Sequence, residues 1–188
     1  MTEFAKDLME DVRDRMQKAV EHLKQELQGI RTGRATPALV ENIKVDYYGT
    51  PTPLLQLAQI SIPDARQIAV KPFDASASSN IEKAILKSDL GLNPSNDGKV
   101  IRLTLPMLSE EQRKKFAGRV KDIGEQARVG LRNIRRDANK HVDQQQKAGE
   151  FSEDVGKDLH DRIQDLLKER EKEVEEILSR KIAEIMEV

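Results

Sequence analysis

Apolar residues recur every three or four positions along three long stretches of this chain. In the first, Phe4, Leu8, Val12, Met16, Ala19, Leu23 and Leu27 fall on one face. That spacing predicts an amphipathic helix over residues 2–28. No Gly or Pro interrupts it, and Gly29 follows where a glycine takes a left-handed cap without steric penalty. The rod would be roughly 40 Å long. In the second stretch the seam is Val120, Ile123, Ala127, Leu131, Ile134, Ala138 and Val142. Ser109-Glu110-Glu111-Gln112 has the S-x-x-Q form of a capping box and starts it. It runs to about Gln146, with Gly118, Gly124 and Gly130 tolerated inside. Gly149 breaks the chain, and Ser152 is placed to cap a third helix. There Val155, Leu159, Ile163, Leu166, Val174, Ile177, Ile182 and Ile185 keep helical spacing, interrupted by Arg170.

Between the first and second helices the texture changes. All seven prolines lie from Pro37 to Pro106. Ile43, Val45 and Tyr47 alternate, as do Ile60 with Ile62, Ile68 with Val70, and Ile101 with Leu103 and Leu105, the period of strands. Gly49-Thr50-Pro51-Thr52-Pro53 reads as a turn or an extended crossing. Ser79-Asn80 could cap a short helix over Ile81–Ser88. Asn93-Pro94-Ser95-Asn96-Asp97-Gly98 is dense turn chemistry. This is a small α+β module of about 70 residues.

Three helices with one apolar stripe each bury those stripes by packing on each other. The expected fold is therefore α+β and mostly α, a long three-helix bundle with a small α+β domain inserted between its first and second helices. Residues 1–30 and 106–188 form the bundle in this reading, and residues 31–105 the insertion. Two chain crossings join them, so hinge motion is expected about Gly29 and Gly33 on one side and Thr104, Leu105 and Pro106 on the other.

Composition supports long helices over a large globular core, since charged residues make up 35% and aromatics 3%. Absence of Cys removes disulfides and thiolate metal sites. No apolar run approaches the roughly 20 residues of a membrane span. The start, Met1-Thr2-Glu3-Phe4-Ala5-Lys6-Asp7, has neither a signal's apolar core nor the basic look of a transit peptide. A cytoplasmic protein is expected.

Charge is uneven. From Arg113 to His141 ten Lys/Arg face three acids, a local +7, while the chain as a whole carries −1. From Glu150 to Val188 thirteen acids face seven Lys/Arg, or −6. Arg128, Arg132, Arg135 and Asn139 form a stripe about a quarter-turn from the apolar seam of the second helix. They cannot be its core, and the expectation is a ridge that points outward. A solvated face on a charged helix is the plain alternative. Arginine rather than lysine at the spaced positions favours phosphate and nucleic acid, because its planar fork matches them. Arg136 adds a fourth fork, and Arg31 and Arg34 lie near the bundle–module junction. Tyr47 and Tyr48 are the two tyrosines, and at least one is expected in the small core, so phosphate shape rather than base stacking would be read.

Enzyme signatures are missing. Gly98-Lys99 is followed by Val100, and Gly156-Lys157 by Asp158, so there is no P-loop. There is no G-x-G-x-x-G and no G-x-S-x-G. His22, His141 and His160 are scattered, and His160 beside Asp158 and Asp161 reads as a surface histidine, not a metal site. Neither metal nor cofactor is expected.

Four segments resemble the signatures of bacterial ribosome recycling factors: Ile30-Arg31-Thr32-Gly33-Arg34-Ala35, Tyr47-Tyr48-Gly49-Thr50-Pro51-Thr52-Pro53-Leu54, Ser88-Asp89-Leu90-Gly91-Leu92-Asn93-Pro94, and the run from Glu125 to Asn139. The resemblance runs in order along essentially the whole chain. It implies an L-shaped, two-domain protein about the size of a tRNA, acting without chemistry of its own. Its bundle would dock on large-subunit rRNA, and its small domain would meet elongation factor G, whose GTP hydrolysis drives subunit splitting. By resemblance Arg132 and Arg135 fall at the rRNA-contacting positions, with Arg31, Arg34, Arg128 and Arg136 as supports. A monomer is expected. A different class of function, a helical-bundle chaperone or adaptor that binds an acidic protein, fits the same ridge.

Overall fold

A computed structural model describes residues 3–187, and Met1, Thr2 and Val188 lie outside the described residues. Three long helices dominate: α1 (Glu3–Gln28), α4 (Glu110–Lys147) and α5 (Glu153–Met186). Between α1 and α4 the chain forms β1 (Lys44–Tyr47), β2 (Thr50–Pro53), α2 (Leu54–Leu57), β3 (Ala58–Asp64), β4 (Gln67–Pro72), α3 (Ser78–Lys87), β5 (Pro94–Asn96) and β6 (Ile101–Thr104), with 3-10 turns at Pro37–Leu39 and Ala75–Ala77. Two compact units result, Met1–Ile30 with Lys114–Val188, and Arg31–Arg113. Residues 106–113, assigned to the bundle from sequence, go with the smaller unit. Leu108 is buried there, beside the space a side chain on Gly33 would fill.

In the larger unit, α1, α4 and α5 pool their stripes into one core. α1 contributes Ala5, Leu8, Val12, Met16, Val20, Leu23 and Leu27. Val20 is buried in addition to the expected residues, and Ala19 packs at the rim of the core. Phe4 is half-buried and stacks on Phe151 at 6.0 Å between ring centroids. α4 contributes Val120, Leu131, Ala138 and Val142, with Ile123, Ala127 and Ile134 at the rim. α5 adds Leu159, Ile163, Leu166, Leu167, Val174, Leu178 and Ile185. The interruption at Arg170 is real. Its side chain is only 16% exposed, and Nη1 donates to Glu173 Oε2 at 2.8 Å. Lys24 reaches the other oxygen of Glu173 at 3.0 Å. The Lys24 hydrogen bond, aided by Arg170, holds the Glu173 carboxyl below the ordinary carboxylate range.

Helix ends follow local chemistry. Ser109 N donates to Gln112 Oε1 at 2.9 Å, and Gln112 N to Ser109 Oγ at 3.2 Å, so the capping box at the start of α4 forms in full. At its other end Glu150 N donates to Gln145 O, Gly149 N to Gln146 O, and Gly149 has φ +82°. That is a Schellman cap. Two cap expectations fail. Gly29 does not take the left-handed conformation; α1 ends in a simple turn with Ile30 N donating to Leu27 O. Ser152 sits at the N-cap of α5, but its side chain makes no capping bond.

The smaller unit holds the antiparallel β1–β2 hairpin and a four-stranded antiparallel sheet in the order β3-β4-β6-β5. α3 buries Ile81 and Ile85 in a core with Val45, Ile68, Val70, Ile101 and Leu103. One sequence alternative is resolved here, in favour of extended chain, and two expectations are corrected. The segment from Thr50 to Pro53 is strand β2, because Tyr48 (φ +48°) and Gly49 (φ +79°) alone make the two-residue reversal and Asp46 Oδ1 accepts from Gly49 N. Both central residues at positive φ give the hairpin turn whose twist matches its strands. The short helix begins at Ser78, not Ile81, after a 3-10 turn capped by Asp74, which accepts from Ser76 N at 2.9 Å. Pro94–Asn96 is strand β5, not turn. It is the sheet's edge, where proline is tolerated. The turn proper begins at Asp97, whose Oδ1 accepts from Lys99 N and Val100 N. Those two bonds hold the Asp97 carboxyl below its ordinary range. Tyr47 is half-buried and donates to Asp74 Oδ2 at 3.2 Å, whereas Tyr48 is exposed.

The three helical glycines of α4 are not equivalent. A Cβ on Gly124 would collide with Leu178 Cδ1 and stand 2.8 Å from Cδ2, while Gly118 has nothing within 4 Å. Overpacking costs about 1–3 kcal/mol, against a gain of about 1 kcal/mol from replacing a helical glycine by alanine. Gly124→Ala is therefore expected to lower the urea midpoint, and Gly118→Ala to raise it. Two shifts of the same sign would contradict this packing.

Candidate nucleic-acid interface

The seam of α4 sets where its arginines go. Leu131 and Ala138 point into the core, so Arg128, Arg132 and Arg135 emerge along the flank that borders α5. They do not project freely, contrary to the expectation from sequence. Arg128 Nη1 donates to Glu125 Oε2 at 3.4 Å, and Nη2 makes a short bond to Glu175 Oε2. Arg132 Nε donates to Glu171 Oε1 at 3.1 Å, and Nη1 to Glu125 Oε1 at 3.3 Å. Arg135 Nη1 donates to Gln164 Oε1 at 2.9 Å. One row of forks thus lies against one row of acceptors. The physical cause is the opposite charge of the two helices combined with matching spacing. Arg128 and Arg132 are four apart on α4, as are Glu171 and Glu175 on α5.

The attraction between basic and acidic helices was legible in the sequence; its consequence for the ridge was not. Glu125, Glu171, Glu175 and Gln164 are the residues that sequence reasoning missed. Their signal was the four-residue spacing of Glu171 and Glu175, equal to that of the arginines they face. At a half-exposed edge each pair contributes up to about 1 kcal/mol, so the forks are aligned without being locked. Arg135 Nε and Asn139 Oδ1, one turn apart, are buried with no partner. Arg136 faces solvent and makes no hydrogen bond or ion pair among the described residues. Asp137 reaches Arg15 of α1 at 3.2 Å.

The other expected basic residues belong to the smaller unit. Arg31 Nη1 donates to Leu90 O at 3.1 Å, and its Nη2 is buried without a partner. That guanidinium is turned inward. Arg34 is exposed, and its backbone N donates to Thr32 Oγ1. Among the expected hinge residues, Gly33 is left-handed at φ +81°. Thr104 ends β6, and Leu105 is buried with its N–H on Arg66 O at 2.8 Å. Pro106 is exposed.

His160 Nε2 stands 2.9 Å from Asp143 Oδ1 across α4 and α5. Among the described residues no group of His, Asp and Glu could hold a metal ion, and no helix is long and apolar enough to cross a membrane.

Comparison with known proteins follows the same lines. Residues 23–186 match the family model described as ribosome recycling factor. The ribosome-recycling factor of Syntrophomonas wolfei is 49% identical over 183 residues, covering 97% of this chain and 99% of that protein. That of Pseudothermotoga lettingae is 50% identical over 181 residues, covering 96% and 98%. A solution structure of the ribosome recycling factor aligns over 100% of both chains at 41% identity with a TM-score of 0.80. The T. thermophilus ribosome recycling factor, in models with the E. coli elongation factor G bound to the E. coli post-termination complex, aligns over 100% of both chains at 41% identity with a TM-score of 0.68.

Arg31 gives a direct test of its inward role. Arg31→Lys keeps the charge but loses the planar reach to Leu90 O. A stability loss of about 1 kcal/mol is expected in urea unfolding. An unchanged midpoint would show that the Leu90 contact contributes nothing.

Proposed function

Because this chain belongs to the ribosome recycling factor family, we propose that it binds the post-termination ribosome by laying the arginine edge of α4 on large-subunit rRNA. With elongation factor G and GTP it then promotes separation of the subunits and release of mRNA and tRNA. The observation that carries this reading is the row Arg128, Arg132 and Arg135, with Arg136 beside it, held along a continuous 38-residue helix. Planar forks on a rigid rod suit bidentate phosphate contacts at fixed spacing. A flexible basic loop would give charge without register. Arg34 is a supporting contact. Arg31 acts at one remove, by fixing the segment that carries Arg34.

The smaller unit is the part that meets the elongation factor. The crossings near Gly29–Gly33 and after Leu105 serve as hinges, so that a push on the small unit reaches the bundle as motion. Gly33 and Pro106 fit that role best. Thr104 and Leu105 are held in the small unit's sheet and by the Arg66 carbonyl. The cytoplasm, where ribosomes work, is the site of action.

Co-sedimentation with isolated large subunits across a salt series tests this. Wild type should lose binding log-linearly with salt. Arg132→Ala/Arg135→Ala, with helical circular dichroism unchanged, should bind far more weakly and with a salt slope shallower by about two, roughly one per arginine. No wild-type binding at low salt would contradict the ribosomal reading. Binding that barely responds to salt would point instead to an adaptor with an apolar interface.

A further inference from the structure

The arginine edge is not uniformly basic in the free protein. Around Arg128 and Arg132 stand three carboxylates, Glu125, Glu171 and Glu175, all bonded to those two forks. Two cations against three anions leave that end of the edge with one net negative charge. Lys121 and Asp122, which line the same groove as Arg128 and Glu175, cancel each other. Farther along the row the situation reverses. Arg135 faces a neutral acceptor, Gln164, and Arg136 has no partner among the described residues. The edge is therefore divided into an uncompensated end and an end whose arginines are already occupied.

Resting on the ribosomal reading above, we infer that Glu125, Glu171 and Glu175 are specificity-determining residues that hold Arg128 and Arg132 against non-cognate RNA. Any phosphate can land on Arg135 and Arg136. To engage Arg128 and Arg132 it must displace a carboxylate, and the displaced carboxylates then stand beside the incoming phosphate. Like charges brought together at an interface oppose binding. A surface that presents phosphates at the spacing of the forks, and keeps them clear of the glutamates, regains the lost pairs at both arginines. A polyanion of arbitrary shape does not. Discrimination of this kind comes from repulsion toward the wrong partner as well as attraction toward the right one. The pairs also keep both guanidiniums extended along α4, so a fitting partner meets forks already oriented. Glu125 is central, because its two oxygens serve Arg128 and Arg132 separately.

The test compares binding to large ribosomal subunits with binding to a short RNA duplex of unrelated sequence. The proteins are wild type, Glu125→Gln, the triple variant Glu125→Gln/Glu171→Gln/Glu175→Gln, and Arg132→Ala/Arg135→Ala. The triple variant should bind the unrelated duplex roughly tenfold more tightly, from several half-exposed pairs released together. Its affinity for subunits should rise less, so that selectivity falls. Its salt slope on the duplex should steepen by up to about two, roughly one for each of Arg128 and Arg132 released to a phosphate. Glu125→Gln alone, an exposed change that leaves the bundle core untouched, should give a smaller shift in the same direction. If neither glutamine variant binds the duplex more tightly while Arg132→Ala/Arg135→Ala still loses the subunits, the inference fails and the ribosomal reading stands. If Arg132→Ala/Arg135→Ala binds subunits like wild type, both fail.

Discussion

While α1 runs closest to α5 over most of the bundle, a local approach of α4 to α5 is the constraint on which the arginine row depends. It is set at Gly124, where a single added carbon would meet Leu178. Once the helices lie that near, side chains on their shared flank are within hydrogen-bond reach, and opposite charges make the contact favourable. The arginine row then follows. Its register comes from the packing of Leu131, Ala138, Val174 and Leu178 in the core, and its direction from the carboxylates across the groove. Individually the ion pairs are weak. Their value lies in placing forks at fixed intervals along a rod.

That weakness has a functional side. A deeply buried ion pair would resist separation, whereas half-exposed pairs exchange one anion for another at small cost. Carboxylate and phosphate present similar oxygen acceptors to a guanidinium. In the proposed complex, phosphates would take the places that the glutamates occupy in the free protein. The smaller unit solves a different problem. It has few aromatics and a modest core, and it depends on turn chemistry: the Tyr48-Gly49 reversal with its Asp46 bond, the Asp74 cap before α3, and the Asp97 turn before β6. These fix where its strands and helix begin and end.

The bundle was legible because a three-to-four period sustained over roughly thirty residues matches an amphipathic helix and no strand. Misses there were local: Val20 and Leu178 are buried in the core beside the expected Ala19 and Ile177, which pack at its rim. Caps were legible when two residues act on each other, as Ser109 and Gln112 do, and misleading when one residue type stood alone, as with Gly29 and Ser152. Strand β5 was hidden because proline, serine and asparagine read as turn unless one knows they lie on a sheet edge. At the candidate interface the arginines were legible as a stripe. Their orientation was not, because it depends on Glu171 and Glu175, some forty residues away in sequence and adjacent only after folding. The inward turn of Arg31 was invisible for the same reason, since its acceptor is a backbone carbonyl at Leu90.

A double-mutant cycle on Arg132 and Glu171 tests whether their pair gives way on binding, with coupling read once in urea unfolding and once in large-subunit affinity. The account predicts a small stabilising coupling in the free protein, up to about 1 kcal/mol, and a coupling of opposite sign in affinity, because loss of Glu171 helps binding only while Arg132 is present. A large coupling in stability, about 3 kcal/mol or more, together with none in affinity, would make the pair a structural fixture and contradict the account.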